Sequence, residues 1–197
     1  MLHRVLEKLR HWNQPGRSPV VVAVNLSAQQ LLQPDLVEHL EALLVQEGVH
    51  PSWLELELTE SVTMHNPERV AQIMGELREL GITWSIDDFG TGYSSFSYLR
   101  KLRVNKLKID QSFIGDLETS EDGRTIVRLI IHPAHNLGIK AIAEGVETEG
   151  QLAYLRQQGC DEIQGYLCSR PLQVEAFEAF MAAHNPSLWA PPPPASP

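Results

Sequence analysis

Six short apolar runs, each followed by an amphipathic stretch, set the frame into which this chain can fold. They cover residues 20–27, 53–60, 82–86, 106–110, 140–145 and 162–166. The first contains the nearly continuous Val20-Val21-Val22-Ala23-Val24, the pattern of a strand covered on both faces in a parallel sheet. The second alternates Leu54, Leu56 and Leu58 with Glu55 and Glu57. Between the runs, apolar side chains recur at helical spacing, as with Val70, Ile73, Met74 and Leu77. Helices are expected over 2–12, 35–46, 67–80, 96–100, 122–137, 148–158 and 174–183, with Gly81, Gly138 and Gly159 as stops. Strand and helix alternating along the chain predict a parallel α/β domain, either a barrel or an open sheet.

The placement of polar residues separates those two. Asn25, Glu57, Asp87, Asp110, Glu144 and Gln164 each fall near the C-terminal end of a different predicted strand. Polar side chains converging there mark the active-site face of a (β/α)8 barrel, whereas an open sheet gathers them at one switch point. A barrel is therefore expected, with six of its eight strands in this sequence. One domain over 1–184 is expected, then a disordered or extended Pro-rich tail over 185–197 that holds Pro191-Pro192-Pro193-Pro194.

Asp87-Asp88 is the densest chemistry. Two adjacent carboxylates repel and gain nothing from burial unless a positive group shares the site, although Asp and Gly are also ordinary turn formers. Asn25, Glu57, Asp87 and Asp88 offer oxygen donors that suit a hard divalent cation, Mg²⁺ or Mn²⁺, and Glu144 and Asp110 could complete one or two octahedral sites. Lys108 and Asp110 alternate with Leu107 and Ile109, so both are expected to face inward. A lysine among acids is expected to be charge-paired, either orienting a metal-bound water or forming a structural salt bridge. Gly90-Thr91-Gly92-Tyr93-Ser94-Ser95 offers amides and hydroxyls for a flap or a phosphate. His132 and His135, three apart in a helix beside Ile130 and Ile131, read as packing or surface residues rather than a metal pair.

A net charge of −9 argues against a nonspecific DNA binder, since phosphate contacts need clustered Lys and Arg. It leaves room for an anionic ligand bridged by a cation. No apolar run approaches the roughly 18–20 residues of a membrane span, and the charged, amphipathic start is unlike a signal peptide. Cys160 and Cys168 lack a CxxC spacing and read as reduced thiols, which fits a cytoplasmic location.

The strings Val24-Asn25-Leu26-Ser27, Glu57-Leu58-Thr59-Glu60-Ser61, Asp87-Asp88-Phe89-Gly90-Thr91-Gly92, Leu107-Lys108-Ile109-Asp110, Ala143-Glu144-Gly145-Val146-Glu147 and Gln164-Gly165-Tyr166 together resemble the EAL-domain phosphodiesterases. The resemblance covers about residues 2–183. It implies a (β/α)8 barrel of the EAL type that hydrolyses the bacterial second messenger cyclic di-GMP to linear pGpG with two Mg²⁺ or Mn²⁺ ions. By the same resemblance Asn25, Glu57, Asp87 and Asp88 ligate metal, with Asp87 between the ions. Lys108 holds the nucleophilic water, and Glu144 is the general base or completes the site through water. Asp110 and Gln164 support metals and ligand, and Glu60 and Glu147 anchor the loop after Asp87-Asp88. A homodimer is implied, as is a sensory or GGDEF domain upstream in a longer parent chain.

The sequence departs from the family at its start. The Glu-Ala-Leu strand, whose glutamate ligates metal, and the arginine shortly after it are absent ahead of Val20; Glu41-Ala42-Leu43 falls in a helix. The family's first two strands are thus expected to be missing, leaving unpaired edges. If Met1 is the true start, weak or no hydrolysis is expected; if the sequence is a fragment, a longer parent could be fully active. The alternative is a catalytically inactive module that senses cyclic di-GMP or docks a partner. Pro133 is expected to kink its helix.

Overall fold

A computed structural model of the chain describes residues 2–16, 18–64, 66–92 and 96–183. It resolves into two compact units, 1–106 and 107–197. The Pro-rich tail lies outside the described residues, as do Tyr93, Ser94 and Ser95 of the glycine-rich loop.

In the first unit the order is α1 (Leu2–Trp12), β1 (Val22–Asn25), α2 (Ala28–Leu31), α3 (Leu36–Glu47), a 3₁₀ turn Pro51–Trp53, β2 (Leu54–Thr59), α4 (Glu60–Thr63), α5 (Pro67–Glu79), β3 (Thr83–Phe89) and α6 (Phe96–Leu102). The strands β1, β2 and β3 form a parallel ladder in which Asn25 pairs with Glu57, Glu57 with Ser85, and Thr59 with Asp87. Leu54, Leu56 and Leu58 are fully buried on one face of β2. Leu6 and Leu9 of α1, Leu40 and Leu44 of α3, and Val70, Ile73, Met74 and Leu77 of α5 are buried as their helical spacing predicts. Trp84 is fully buried and its indole Nε1–H donates to the Met74 carbonyl at 3.2 Å, so burying the largest side chain leaves no polar orphan. Asn105 clasps the same residue from both sides: its Oδ1 accepts from the Trp84 N–H and its own N–H donates to the Trp84 carbonyl, each at 2.9 Å.

β4 (Lys106–Ile109) begins on the last residue of the first unit. The second unit continues with α7 (Gln111–Gly115), α8 (Glu121–Asn136), β5 (Lys140–Glu144), α9 (Glu149–Gln157), β6 (Glu162–Gln164) and α10 (Val174–Ala183). β5 and β6 pair in parallel, Glu144 beside Gln164. Leu107, Ile109, Val127, Ile131, Ala141, Ala143 and Leu155 are fully buried and form the apolar support under these strands. The Thr148–Gln151 capping box starts α9, and the buried Gln151 side chain also donates from Nε2 to the Ile114 carbonyl at 3.1 Å, tying α9 to α7.

Several elements differ from the sequence expectations. β3 continues through Asp87 and Asp88 to Phe89 instead of stopping at Ile86, because Phe89 is itself buried and holds the chain down past the acids. The helices α2, α4 and α7 are too short to show a 3.6-residue period. Helix α8 runs through Pro133 for one more residue triplet, and the Leu137 N–H reaches both the Pro133 and Ala134 carbonyls. Glu41, Ala42 and Leu43 lie within α3. His132 is exposed, while His135 Nε2 meets Asp161 Oδ2 at 2.8 Å, an oxygen that also accepts from the Ala141 N–H. Cys160 is buried and Cys168 exposed, both as free thiols. Burial pushes the Cys160 thiol up to about 12.

Candidate active site

In the first unit, parallel register decides which acids share a face. Asn25, Glu57 and Ser85 occupy one rung across β1, β2 and β3, and Asp87 stands two residues beyond Ser85 on the same face of β3. Glu57 is 6% exposed and accepts from Ser85 Oγ at 3.5 Å, so a carboxylate inside the unit is met by a short hydroxyl that takes up little room. Asn25 is exposed at the last position of β1. Asp87 is half-buried, and its Oδ1 accepts the Asp88 N–H at 3.1 Å. Asp88 adopts φ 54°, the left-handed region that Asp tolerates better than most residues, and is exposed. That turn lets two consecutive carboxylates end a strand without alternating to opposite faces as regular pleating would demand.

Glu60 opens α4 directly after β2 and is 3% exposed. Its Oε2 accepts from the Gly90 N–H at 3.0 Å and the Gly92 N–H at 3.3 Å, fixing the chain that leaves β3. Gly92 packs closely here: a Cβ there would lie 2.6 Å from Glu60 Oε1, and the carboxylate would have to shift. On the same side, Tyr98 of α6 donates its hydroxyl to the Thr63 carbonyl of α4 at 2.5 Å.

In the second unit, Lys108 Nζ lies 2.7 Å from Glu144 Oε1, with side chains 6% and 16% exposed. Two charges this dry are held only by such a contact. Glu144 ends β5, and Gly145 follows at φ 71°, where a Cβ would strike Gln111 Cβ at 2.7 Å. Gly165 is bound more tightly, since its Cβ would sit 2.2 Å from the Val146 carbonyl oxygen. A cavity of about 290 Å³ opens here, lined by Gln111, Glu144, Glu147, Gln164 and Tyr166. Gln164 and Glu147 are exposed, and the Glu147 N–H donates to Gln151 Oε1 at 2.7 Å. The Arg170 guanidinium stacks 4.5 Å above the Tyr166 ring. Asp110 stands one residue past β4 as the N-cap of α7, where its Oδ1 accepts from the Ser112 N–H at 2.9 Å and from the Ser112 hydroxyl.

The first unit thus carries Asn25, Glu57, Glu60, Asp87 and Asp88, and the second Lys108, Asp110, Glu144, Glu147 and Gln164. Asn25, Glu57, Asp87 and Asp88 form an all-oxygen donor set without sulfur or imidazole, which fits a hard divalent ion such as Mg²⁺ or Mn²⁺ and disfavours softer metals. Sequence reasoning passed over Ser85, Gln151 and the pair formed by Glu55 and Lys106, whose Nζ and Oε2 are 3.1 Å apart. The signal for that pair was present, since Glu55 and Lys106 precede Glu57 and Lys108 by the two-residue strand period.

The EAL domain family model matches residues 1–171. The chain is 44% identical over 185 residues to the cyclic di-GMP phosphodiesterase NbdA of Pseudomonas aeruginosa, covering 94% of this chain and 24% of that protein. Its fold superposes on the PaMucR phosphodiesterase in complex with c-di-GMP at TM-score 0.85 and 40% identity, over 89% of this chain and 71% of that one. It superposes on the manganese/cy-diGMP complex of Klebsiella pneumoniae BlrP1 at TM-score 0.77 and 29% identity, over 86% of this chain and 43% of that one. The chain belongs to the EAL domain family, and its fold class is the α/β barrel type of those domains. It spans about a quarter of the length of the curated relatives it matches. Among the described residues no helix is long and apolar enough to cross a membrane.

Proposed function

We propose that the chain is the catalytic part of a metal-dependent phosphodiesterase that opens cyclic di-GMP to linear pGpG. The Lys108–Glu144 ion pair at 2.7 Å carries this reading, because it holds a carboxylate and an ammonium together, nearly dry, at the end of β5. A structural salt bridge gains little from such a place, whereas proton transfer from water needs a base held to within a fraction of an ångström. Glu144 takes the proton of the attacking water, and Lys108 orients that water and steadies Glu144 Oε1. Asn25, Glu57, Asp87 and Asp88 hold the cations. Bound Mg²⁺ or Mn²⁺ supplies Lewis acidity toward the phosphate and lowers the pKa of the attacking water.

Asp110 supports the site through the start of α7, which its carboxylate caps. Gln164 lines the cavity beside Glu144 and contacts the dinucleotide, and Glu60 and Glu147 secure the loops on which the site depends. The PaMucR and BlrP1 complexes, which pair related folds with c-di-GMP, support this choice of ligand, and the manganese in the BlrP1 complex supports this choice of metal. The domain spans 1–184, works in the cytoplasm and pairs as a homodimer. In a longer parent it follows a sensory or GGDEF domain.

The test is incubation of the chain with cyclic di-GMP and Mn²⁺, followed by chromatographic separation of pGpG. Slow conversion that stops on chelation is the expected result. The second reading is a module that binds cyclic di-GMP without turnover. Calorimetric binding with intact ligand after long incubation would replace the first reading with the second.

A further inference from the structure

Where α3 ends, the first unit has an apolar groove that shares no residue with the proposed catalytic set. It encloses about 530 Å³, and its walls include Leu44, Val45, Val49, Pro51, Trp53 and Leu80. Val45 is 77% exposed, the most open large apolar side chain among the described residues. The His50 ring also lines the groove, 5.9 Å from the Trp53 ring and tilted 44° to it. Glu41 supplies the one carboxylate, and no Lys or Arg is present in the lining.

The two ring residues bring unspent donors. His50 Nδ1 accepts from the Ser52 N–H at 3.3 Å, which leaves the ring hydrogen on Nε2. Among the described residues neither that N–H nor the Trp53 indole N–H meets a protein acceptor, whereas Trp84 spends its own on the Met74 carbonyl. Apolar and aromatic walls with free N–H groups suit a ligand rich in acceptors and poor in donors. A proline run is such a ligand: each residue keeps its carbonyl and lacks the N–H, and its fixed φ pre-forms the extended helix that aromatic grooves bind at low entropic cost. The chain itself holds one, Pro191-Pro192-Pro193-Pro194, within a stretch 185–197 that has no Lys, Arg, Asp or Glu. A segment without charged side chains brings no ion to desolvate and no acid to oppose Glu41.

We propose that this groove docks the segment Pro191-Pro192-Pro193-Pro194 of a second copy of the chain. Supplied by a second copy, the segment needs no set path from α10 to the groove. The contact is heterologous, groove to proline run, so exchange in both directions closes a pair of copies. Docking here is independent of hydrolysis, and its test needs neither metal nor cyclic di-GMP.

The probe is a synthetic peptide of residues 186–197 carrying a fluorophore, with anisotropy as the readout. The titrant is the 197-residue chain bearing Pro191→Ser, Pro192→Ser, Pro193→Ser and Pro194→Ser, so that no resident proline run competes. Saturable binding is expected. Adding Val45→Glu, at a position open enough to take the change without unfolding, is expected to weaken it about tenfold. Adding Trp53→Phe keeps an aromatic wall and removes the N–H, for an expected loss of about threefold. Circular dichroism checks the fold of each variant, and Val45→Glu decides alone if Trp53→Phe does not fold. In sedimentation velocity, the parent chain is expected to associate more as concentration rises than the variant with four serines does. Failure of the peptide to saturate the titrant, or equal binding with and without Val45→Glu, would overturn the docking site. Peptide binding alongside sedimentation that the prolines leave unchanged would overturn the second copy as the source of the segment.

Discussion

Glu60 in the first unit directly follows a strand and Glu144 in the second ends one, and their carboxylates meet different donors. Glu60 accepts from the amides of Gly90 and Gly92, which belong to the backbone and cannot turn away. Glu144 meets the ammonium of Lys108, at the end of a side chain with four rotatable bonds. Glu60 is more deeply buried than Glu144. Amide donors suit an acid that builds a loop, since the loop forms only when they are in place. A charged partner suits the role proposed for Glu144, which must be an anion before it takes a proton, since the ammonium stabilises that form. Residue type alone separates neither role; the donor does.

The largest expected effect tests the second half of that contrast. Glu144→Gln keeps the shape of the side chain and removes the base, so hydrolysis of cyclic di-GMP should fall about 1000-fold, roughly 4 kcal/mol in the barrier. Initial rates of pGpG formation measure it, and a rate near the parent value would take Glu144 out of that role. Next comes Gly165→Ala, whose Cβ cannot be placed 2.2 Å from a backbone oxygen without moving β6 away from β5. A loss of about 3 kcal/mol is expected in urea unfolding. Glu60→Ala should cost about 2 kcal/mol by leaving two amides without their acceptor, and Glu60→Gln visibly less, since its carbonyl can still accept. Equal losses in the two variants would mean that the charge, and not the amide contacts, is what matters there.

Smaller effects sharpen the picture of the second unit. Thr148→Ala deletes the side-chain half of the α9 cap and should cost about 1 kcal/mol. Burial raises Cys160 from its ordinary 9.0 to about 12, so the folded protein binds that proton more tightly than the unfolded chain does. The resulting stability is complete below pH 9 and is lost progressively as pH rises toward 12. Iodoacetamide at pH 8 should therefore label Cys168, which is exposed, and spare Cys160 until the protein unfolds, as peptide mass mapping would report.

Much of this was legible in the sequence because two periods carried it. The 3.6-residue spacing located α1, α3, α5, α8, α9 and α10, and the two-residue spacing aligned Lys108 with an acid. Where neither period had room to act, the reading fell short. Helices of about one turn leave only capping signals, and Ser27 with Gln30 did form such a box. Asp110 followed the strand alternation on paper but left it in space, because Asp at the first residue past β4 can cap α7 through the Ser112 amide. The Asp88 turn and the fit of Gly92 against Glu60 depend on contacts that close only when residues 30 apart in sequence meet. They arise from tertiary packing and are not encoded in any window of neighbours.

The clasp on Trp84 also determines what can be seen by optical methods. Trp12, Trp53 and Trp84 all fall in the first unit, and among the described residues the second has no indole. With Trp189→Phe, intrinsic tryptophan emission would come from the first unit alone, and Trp84 would dominate its blue edge because its ring is dry and its N–H is already engaged. With Tyr93→Phe and Tyr98→Phe as well, tyrosine emission would come from Tyr154 and Tyr166 of the second unit. One protein would then carry two spectrally separate gauges, able to tell whether denaturant or ligand acts on its halves together or in turn.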